Sequence, residues 1–318
     1  MDPPKHDLHR RAAQPVVAPQ NLAAMEDLIR SRVVEILDDL PIGESFNWVE
    51  RVSINLTTQM LATLFDFPFE QRQKLTYWSD IGVGSPEIAG GNVSPEEREL
   101  GLDECVAAFT QLWHERKGQE GGFDLISLLQ RDPNTADLVE NRNEFLGTLL
   151  LLIIGGNDTT RNSISGGVLA LNQNPAEYDK LRANPGLIPG MVPEIIRWQT
   201  PLAHMRRTAN RDIEFKGKQI RKGDKVVMWY LSGNHDESAI DNADQFIIDR
   251  ENPRHHVSFG FGIHRCMGNR LAEMQLRILR EEIMRRFSWV EVLDEPERVR
   301  SNFVRGYMHL PVRLHPLN

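Results

Sequence analysis

The stretch that decides the fold of this 318-residue chain is Phe259-Gly260-Phe261-Gly262-Ile263-His264-Arg265-Cys266-Met267-Gly268. Its glycines allow the backbone to turn tightly and to approach a flat partner closely. The amphipathic segment Asn269 to Phe287 follows it and predicts a helix whose free N–H groups and positive dipole end point at the cysteine sulfur. These effects favour a thiolate, which is the form of cysteine that binds metal. We therefore expect Cys266 to be a metal ligand.

A structural zinc site and a purely structural cysteine both fit the sequence less well. With His264 as the one nearby histidine, the stretch does not offer the four ligands of a structural zinc site. A buried structural cysteine on a turn would account for the residue itself, but it would not account for the spacing of the glycines.

The stretch resembles the haem-binding loop of the cytochromes P450, F-G-x-G-x-H/R-x-C-x-G, with matches at Phe259, Gly260, His264, Cys266 and Gly268. The resemblance implies a mainly α fold with small β-sheets and a haem b cofactor (iron protoporphyrin IX), with O2 as co-substrate. It also implies that Cys266 is the axial thiolate ligand. Such a ligand pushes electron density onto the iron and favours O–O cleavage.

A second motif lies in the proline-free segment Asn141 to Asn174, which predicts one helix about 50 Å long. Its middle reads Gly155-Gly156-Asn157-Asp158-Thr159-Thr160, and each helical glycine costs about 1 kcal/mol relative to alanine. The resemblance implies that the cofactor and O2 lie against Gly155, that Thr159 hydrogen-bonds O2, and that Asp158 relays protons to it. A glycine kink with threonine hydroxyls bonded to the preceding turn is the alternative.

A third motif is the E-x-x-R pair Glu194 and Arg197, which can form an ion pair across one helical turn. The spacing alone is weak evidence because it recurs elsewhere in the chain. The resemblance implies that this pair is buried, is joined by Arg250, and holds the core that presents the thiolate.

Four further residues match the family's binding groups for the haem propionates. His6 and Arg10 match an H-x-x-x-R motif, Arg207 precedes the first strand region, and His264 stands two residues before the cysteine. For any one of them, a solvated surface charge is the commoner reading of the residue. Their joint presence in the expected order favours cofactor binding.

Composition limits the remaining possibilities. The chain has 37 Lys and Arg against 45 Asp and Glu, a net charge of −8 that argues against a nucleic-acid partner. Two cysteines exclude a disulfide-stapled secreted scaffold. Residues Met1 to Arg11 lack the apolar core of a signal peptide, and the longest apolar run, Leu149 to Ile154, is too short for a transmembrane segment. We expect a soluble, cytoplasmic protein.

Helix dominates the remaining patterns. Strands are predicted at Asp212 to Phe215, Lys218 to Ile220 and Val226 to Leu231. The Gly- and Pro-rich stretch Gly84 to Pro95 predicts a surface loop and a mobile lid. No composition break divides the chain, so residues 1–318 are expected to form a single domain.

The segments Gly155 to Ser163 and Leu202 to Ala209 resemble the soluble bacterial cytochromes P450 that hydroxylate alkanes and fatty acids at the terminal (ω) carbon. The resemblance implies electrons from NAD(P)H through a ferredoxin reductase and a [2Fe–2S] ferredoxin. A sterol side chain or a terpenoid remains an alternative substrate. Residues that would line an apolar pocket, although ordinary core packing accounts for them equally well, are Leu152, Leu202, Ala203 and Met205.

Cations around the cysteine predict a docking surface for an acidic electron-transfer protein. They are Arg250, Arg254, Arg265 and Arg270, with His255, His256, Arg10 and Arg11. Unrelated solvated charges are the alternative.

The position of the H-x-x-x-R motif at His6 bears on completeness. Members of the family have substantial structure ahead of that motif. The resemblance therefore implies a single incomplete, N-terminally truncated haem-thiolate monooxygenase domain, 1–318, without the first helices and part of the β-region. A catalytically incompetent fragment is the corresponding alternative.

Overall fold

The computed structural model describes residues 1–83, 93–119 and 121–317, so that the predicted lid at Gly84 to Pro95 falls largely outside the described residues. The helices are α1 Lys5–Ala13, α2 Pro19–Asp38, α3 Asn55–Phe65, α4 Gln73–Gly82, α5 Pro95–Arg116, α6 Leu125–Arg131, α7 Arg142–Gln173, α8 Pro175–Ala183, α9 Ile188–Gln199, α10 Tyr230–Asn234 and α11 Asn269–Arg286. The strands are β1 Ser45–Asn47, β2 His204–Thr208, β3 Ile213–Phe215, β4 Lys218–Ile220, β5 Lys225–Trp229, β6 Phe287–Val292, β7 Glu297–Arg298, β8 Tyr307–His309 and β9 Pro311–Pro316.

The long helix α7 organises the core. Its 32 residues run through the middle of the helical part and pack against α3, α4, α5, α8, α9 and α11. The predicted helix Asn141 to Asn174 is therefore confirmed to within a residue at each end. Asn141 begins it as an N-cap, with its side-chain oxygen accepting from the Glu144 N–H. No helix in the described part of the chain is long and apolar enough to span a bilayer.

The crossing of α7 and α9 depends on a glycine that the sequence patterns did not single out. A Cβ at Gly166 would lie 2.3 Å from the side-chain oxygen of Gln199 on α9. At the next position, a Cβ at Gly167 would lie 2.8 Å from Ile195. Both distances are below van der Waals contact, so α9 can pack this closely only because α7 carries no side chain here.

The β-structure is minor, as predicted, but it contains more strands than predicted. The three predicted strands correspond to β3, β4 and β5, with β5 pairing antiparallel with the unpredicted β2. A second sheet has the order β1-β9-β6, with Phe46 opposite Val312 and Val290 opposite Leu314. The chain is thus mainly α with small sheets.

A buried ion cluster links α9 to the segment that follows α10. We name it the Glu194 cluster; it consists of Glu194, Arg197 and Arg250. The Glu194 and Arg197 side chains are 0% exposed and form two bonds of 2.8 Å. Arg250 Nε donates to Glu194 Oε2 at 3.1 Å. The predicted pairing of all three residues is therefore confirmed.

Backbone carbonyls satisfy the second positive charge of the Glu194 cluster. Arg197 donates to the carbonyls of Asn234, Ala243 and Gln245 at 2.7–2.8 Å. The Ile247 N–H in turn donates to Glu194 Oε1 at 2.8 Å. Because these bonds fix a segment that has little regular structure of its own, the cluster substitutes for secondary structure there.

We predict that Arg197→Ala lowers the free energy of unfolding by about 3–5 kcal/mol, because it leaves the Glu194 carboxylate buried without its partner. Urea denaturation followed by tryptophan fluorescence measures the change. Arg51→Ala is the matched control, since Arg51 pairs with Asp39 at the exposed surface and its loss should cost less than about 1 kcal/mol. Equal losses in the two variants would contradict the structural role of the cluster.

Candidate functional site

The cysteine loop, Phe259–Gly268, is held in a defined turn. The Cys266 N–H donates to the Phe259 carbonyl at 2.8 Å, which closes the loop on itself. Gly260 has φ of +67° within the loop, a conformation that disfavours any side chain. Just before the loop, Ser258 Oγ donates to the Ile196 carbonyl of α9 at 2.8 Å. The loop is therefore anchored to the helix that carries the Glu194 cluster.

The Cys266 thiol lies at the start of α11 and is partly exposed. Burial raises its pKa, while the Gly268 N–H and the charges of Arg10 and Arg265 act in the opposite direction. Burial outweighs the helix terminus that the sequence suggested would favour a thiolate. A raised pKa makes Cys266 a poor free nucleophile and does not by itself separate a metal ligand from a structural cysteine.

Groups predicted to bind propionates come together beside the cysteine loop. The rings of His6 on α1 and His264 in the loop lie 4.2 Å apart, edge to face. Burial lowers the pKa of His264, and the nearby His6 and Arg207 lower it further. Arg10, one turn after His6, acts on the Cys266 thiol. Residues far apart in sequence thus form one cationic rim.

Large apolar side chains are exposed on the loop and on neighbouring candidate elements. Leu151 on α7 is 68% exposed, Trp229 on β5 is 56% exposed, and Phe261 in the loop is 89% exposed. A Cβ added at Gly155 on α7 would meet nothing within 4 Å. Apolar side chains exposed to this degree are available for contact with a bound apolar group. Together with the cationic rim and the thiol, they fit a flat apolar cofactor with carboxylate groups, as a haem is.

The acid of the predicted acid–alcohol pair faces α4. Asp158 is 1% exposed, and its Oδ1 accepts from Ser79 Oγ of α4 at 3.2 Å. The same oxygen lies 3.1 Å from Arg161 Nη2. Burial raises the pKa of Asp158, while Arg161 and Ser79 counteract it. Asp158 is therefore a buried carboxyl that is held by one oxygen.

The alcohol of the pair makes the hydrogen bond that the alternative interpretation anticipated. Thr159 Oγ1 donates to the Gly155 carbonyl one turn earlier, at 2.9 Å. Thr159 and Asp158 therefore bond to different groups and do not bond to each other. With its proton directed along the helix, the Thr159 hydroxyl leaves its oxygen lone pairs available as acceptors.

Three side chains of this region were not identified from the sequence, namely Ser79, Asp80 and Arg161. Arg161 Nη2 donates to Asp80 Oδ1 at 2.9 Å as well as facing Asp158. Burial raises the pKa of Asp80 to about 6, although Arg161 opposes the shift. The Asp158–Arg161 spacing of three residues was a usable signal, but Asp80 lies 81 residues from Arg161.

The predicted apolar pocket residues do not line the cavity of about 170 Å³ that lies behind α7. That cavity is polar and is lined by residues including Gln173, Gln199, His235, Arg305 and Tyr307. Of the predicted set, Ala203 is buried, and Leu152, Leu202 and Met205 are partly buried.

The predicted cationic docking surface is smaller than expected. Arg250 is bound in the Glu194 cluster, and Arg254 pairs with Glu273 at 2.8 Å. Burial lowers the pKa of His256 to about 4, so this ring is neutral at pH 7. Of the other predicted residues, Arg11, His255, Arg265 and Arg270 are exposed, and Arg10 is partly exposed. Arg250 and His256 therefore add no free charge to this surface, whereas Arg254 stays exposed while it pairs with Glu273.

A family model described as cytochrome P450 matches residues 186–311. The chain is 38% identical to linalool 8-monooxygenase from Pseudomonas putida, covering 99% of this chain and 77% of that protein. It is 31% identical to a methyl-branched lipid omega-hydroxylase from Mycobacterium bovis, over 98% of this chain and 73% of that protein. The structure of CYP153D17 from Sphingomonas superposes with a TM-score of 0.91 at 49% identity, covering 99% and 78% of the two chains.

We predict that Gly260→Ala lowers the free energy of unfolding by about 1–2 kcal/mol, because alanine is strained at positive φ. The added Cβ would also lie 3.1 Å from the Tyr230 hydroxyl. Gly147→Ala is the control: this exposed α7 position has open space, so the substitution should stabilise by up to about 1 kcal/mol. Chemical denaturation measures both, and stabilisation by Gly260→Ala would contradict the loop conformation.

Proposed function

This chain belongs to the cytochrome P450 family and is a monooxygenase, and from that premise we propose that it hydroxylates the terminal carbon of medium-chain alkanes or fatty acids. The observation that carries the proposal is the pairing of the Cys266 thiol, just ahead of α11, with exposed apolar surface at Leu151 on α7, one turn before Gly155. Such surface suits a substrate without polar groups near the reacting carbon. One relative, the methyl-branched lipid omega-hydroxylase, supports oxidation at the chain end.

In this proposal the cofactor is haem b, and Cys266 would hold its iron through the thiolate sulfur. His6, Arg10, Arg207 and His264 bind its propionates, because together they supply donors and positive charge at one rim. When bound, the haem would supply O2 activation: one oxygen atom would enter a C–H bond of the substrate, and the other would leave as water with two electrons and two protons. Gly155, Gly260 and Gly268, which have no side chain, would let the backbone approach the macrocycle closely, and Phe259 would add apolar contact.

Asp158 and Thr159 are the proposed catalytic side chains. Asp158 has a raised pKa and one oxygen without a partner among the described residues, so it can take up and release a proton. Thr159, with its lone pairs available, accepts hydrogen bonds near Gly155 and orders the donors that face O2. Their side chains leave α7 in different directions, so Asp158 reaches the substrate side by rotation or through water.

A terpenoid is the second candidate substrate. The relative named linalool 8-monooxygenase favours it, at higher identity than the lipid hydroxylase. The partly buried Leu152, Leu202 and Met205 give an apolar lining that suits either class. A sterol side chain would need more room than a linear alkane at the same lining.

We further propose that residues 1–318 act as one domain in the cytoplasm, where NAD(P)H is available. Electrons reach it through a ferredoxin reductase and a [2Fe–2S] ferredoxin. Arg265 and Arg270, exposed beside the thiol on a chain of net charge −8, suit the docking of an acidic ferredoxin.

With octane, NAD(P)H, a surrogate ferredoxin and its reductase, we expect the haem-loaded chain to form 1-octanol in preference to oxidised linalool. Cys266→Ser should abolish both the product and the thiolate-type spectrum of the CO complex. Cys105→Ala, which changes the buried cysteine of α5, should retain them. Oxidation of linalool alone would favour the second candidate, and an unchanged CO spectrum in Cys266→Ser would refute the ligand assignment.

Reversing the charges of the exposed arginines near Cys266 tests whether they bind an acidic ferredoxin. Arg265→Glu with Arg270→Glu should raise the KM for ferredoxin about tenfold or more at low salt, because removing complementary charge slows association. The effect should shrink as the salt concentration rises. Arg51→Glu is the control, because Arg51 pairs with Asp39 at the surface and does not belong to the predicted docking surface. This variant should leave the KM for ferredoxin unchanged. Equal effects of both reversals would show that net charge alone matters.

A further inference from the structure

Asp80 of α4 and Asp158 of α7 share one guanidinium. We name this group the Arg161 cluster; it consists of Asp80, Arg161 and Asp158. Arg161 Nη2 lies 2.9 Å from Asp80 Oδ1 and 3.1 Å from Asp158 Oδ1. The side chains of Arg161 and Asp158 are 5% and 1% exposed, and that of Asp80 is 21% exposed. One cation therefore serves two carboxylates in a largely water-free site.

The polar atoms of the Arg161 cluster are incompletely hydrogen-bonded. Within the described residues, Asp158 Oδ2 and Arg161 Nε have no hydrogen-bond partner, and Ser79 supplies the one added donor to Asp158 Oδ1. Buried polar atoms without partners are rare and require a physical reason. A carboxylate held by one oxygen only is free to change its protonation or its rotamer.

Neighbouring elements add no further charge to the Arg161 cluster in the part of the chain that the structure describes. From α5, the Arg98 guanidinium donates to the Ile81 carbonyl at 2.9 Å. From α3, the Thr58 hydroxyl bonds to Thr76 of α4 at 2.7 Å. The charges that act on Asp80 are those of Arg161 and Asp158.

We propose that Asp80 is a positioning residue for the monooxygenase reaction: by competing for Arg161 it keeps Asp158 loosely held and able to exchange a proton. The inference rests on the proposed role of Asp158 and extends it to α4. With Asp80 ionised, the attraction of Arg161 is divided between two carboxylates. With Asp80 neutral, Arg161 is free to pair with Asp158 through both nitrogens, which stabilises the charged form of Asp158.

The direction of the effect follows from this competition. Neutralising Asp80 makes the Arg161–Asp158 pair tighter and lowers the pKa of Asp158. Removing the Ser79 hydroxyl takes a donor from the Asp158 carboxylate and raises that pKa. Substitutions at two adjacent residues of α4, Ser79 and Asp80, should therefore shift the pKa of Asp158 in opposite directions. A general loss of packing would not do this.

The test compares Asp80→Asn, Asp80→Glu and Ser79→Ala with the wild type in the complete enzyme with octane and its redox partners. Product formation should fall as pH rises above the pKa of Asp158, because the proton donor is lost. Asp80→Asn should move this limb to lower pH, with about tenfold less product per pKa unit at the high-pH end, and Asp80→Glu should restore it. Ser79→Ala should move the limb to higher pH.

A control and a second readout separate this inference from the proposed function. Asp103→Asn changes an exposed aspartate that also pairs with an arginine, Arg142, and should match the wild type. Infrared titration of protonated carboxyl groups, assigned with Asp158→Asn, should show the Asp158 band shifting to lower pH in Asp80→Asn without any turnover.

The outcomes are distinct. If Asp158→Asn forms product as the wild type does, the proposed role of Asp158 fails. If Asp158→Asn is impaired but the pH limb and the infrared band of Asp80→Asn are unchanged, the inference about Asp80 alone is overturned. Should Asp80→Asn fail to fold, Asp80→Ala takes its place: a shift of the limb to lower pH supports the inference, and an unshifted limb contradicts it.

Discussion

The buried Glu194 cluster is the interaction on which the rest of the site depends. Arg197 is 0% exposed, and each of its donors goes either to Glu194 or to a carbonyl of the irregular segment beyond α10. Asn234, whose carbonyl is one of these, uses its own side chain to accept from the Val257 N–H and to donate to Ser258. Ser258 adjoins the cysteine loop. A continuous chain of hydrogen bonds therefore links the position of the Cys266 thiol to the Glu194–Arg197 ion pair in the core.

Helix α7 supplies the opposite side of the site and performs two tasks at once. Toward α9 it carries Gly166, which allows the helices to approach until no side chain fits between them. Toward the exposed apolar surface it carries Gly155, where a Cβ would meet nothing. The two glycines therefore have different effects. Gly166 makes close helix packing possible, and Gly155 leaves open space beside the backbone.

Much of this arrangement could be predicted because its signals are local or carried by a motif. The length of α7 follows from a proline-free run, and the pairing of Glu194, Arg197 and Arg250 follows from the family resemblance. Asp80 could not be found, because its pairing with Arg161 joins residues far apart in sequence and leaves no periodic pattern. Strands such as β6 and β9 were missed for a related reason: each is stabilised by a pairing partner that lies elsewhere in the chain.

The two buried charge clusters carry opposite excess charge, and they differ in how completely their polar atoms are hydrogen-bonded. The Glu194 cluster has two cations and one anion, and backbone carbonyls surround its excess positive charge. The Arg161 cluster has two anions and one cation, yet only Ser79 donates to it besides the arginine, and Asp158 Oδ2 is left unpaired among the described residues. A buried charge that is fully bonded resists change, whereas one that lacks partners can alter its protonation at low cost. Because fully bonded charges anchor the cysteine loop, that loop is held rigidly, whereas the under-bonded Asp158 beside Thr159 is the group whose protonation can change.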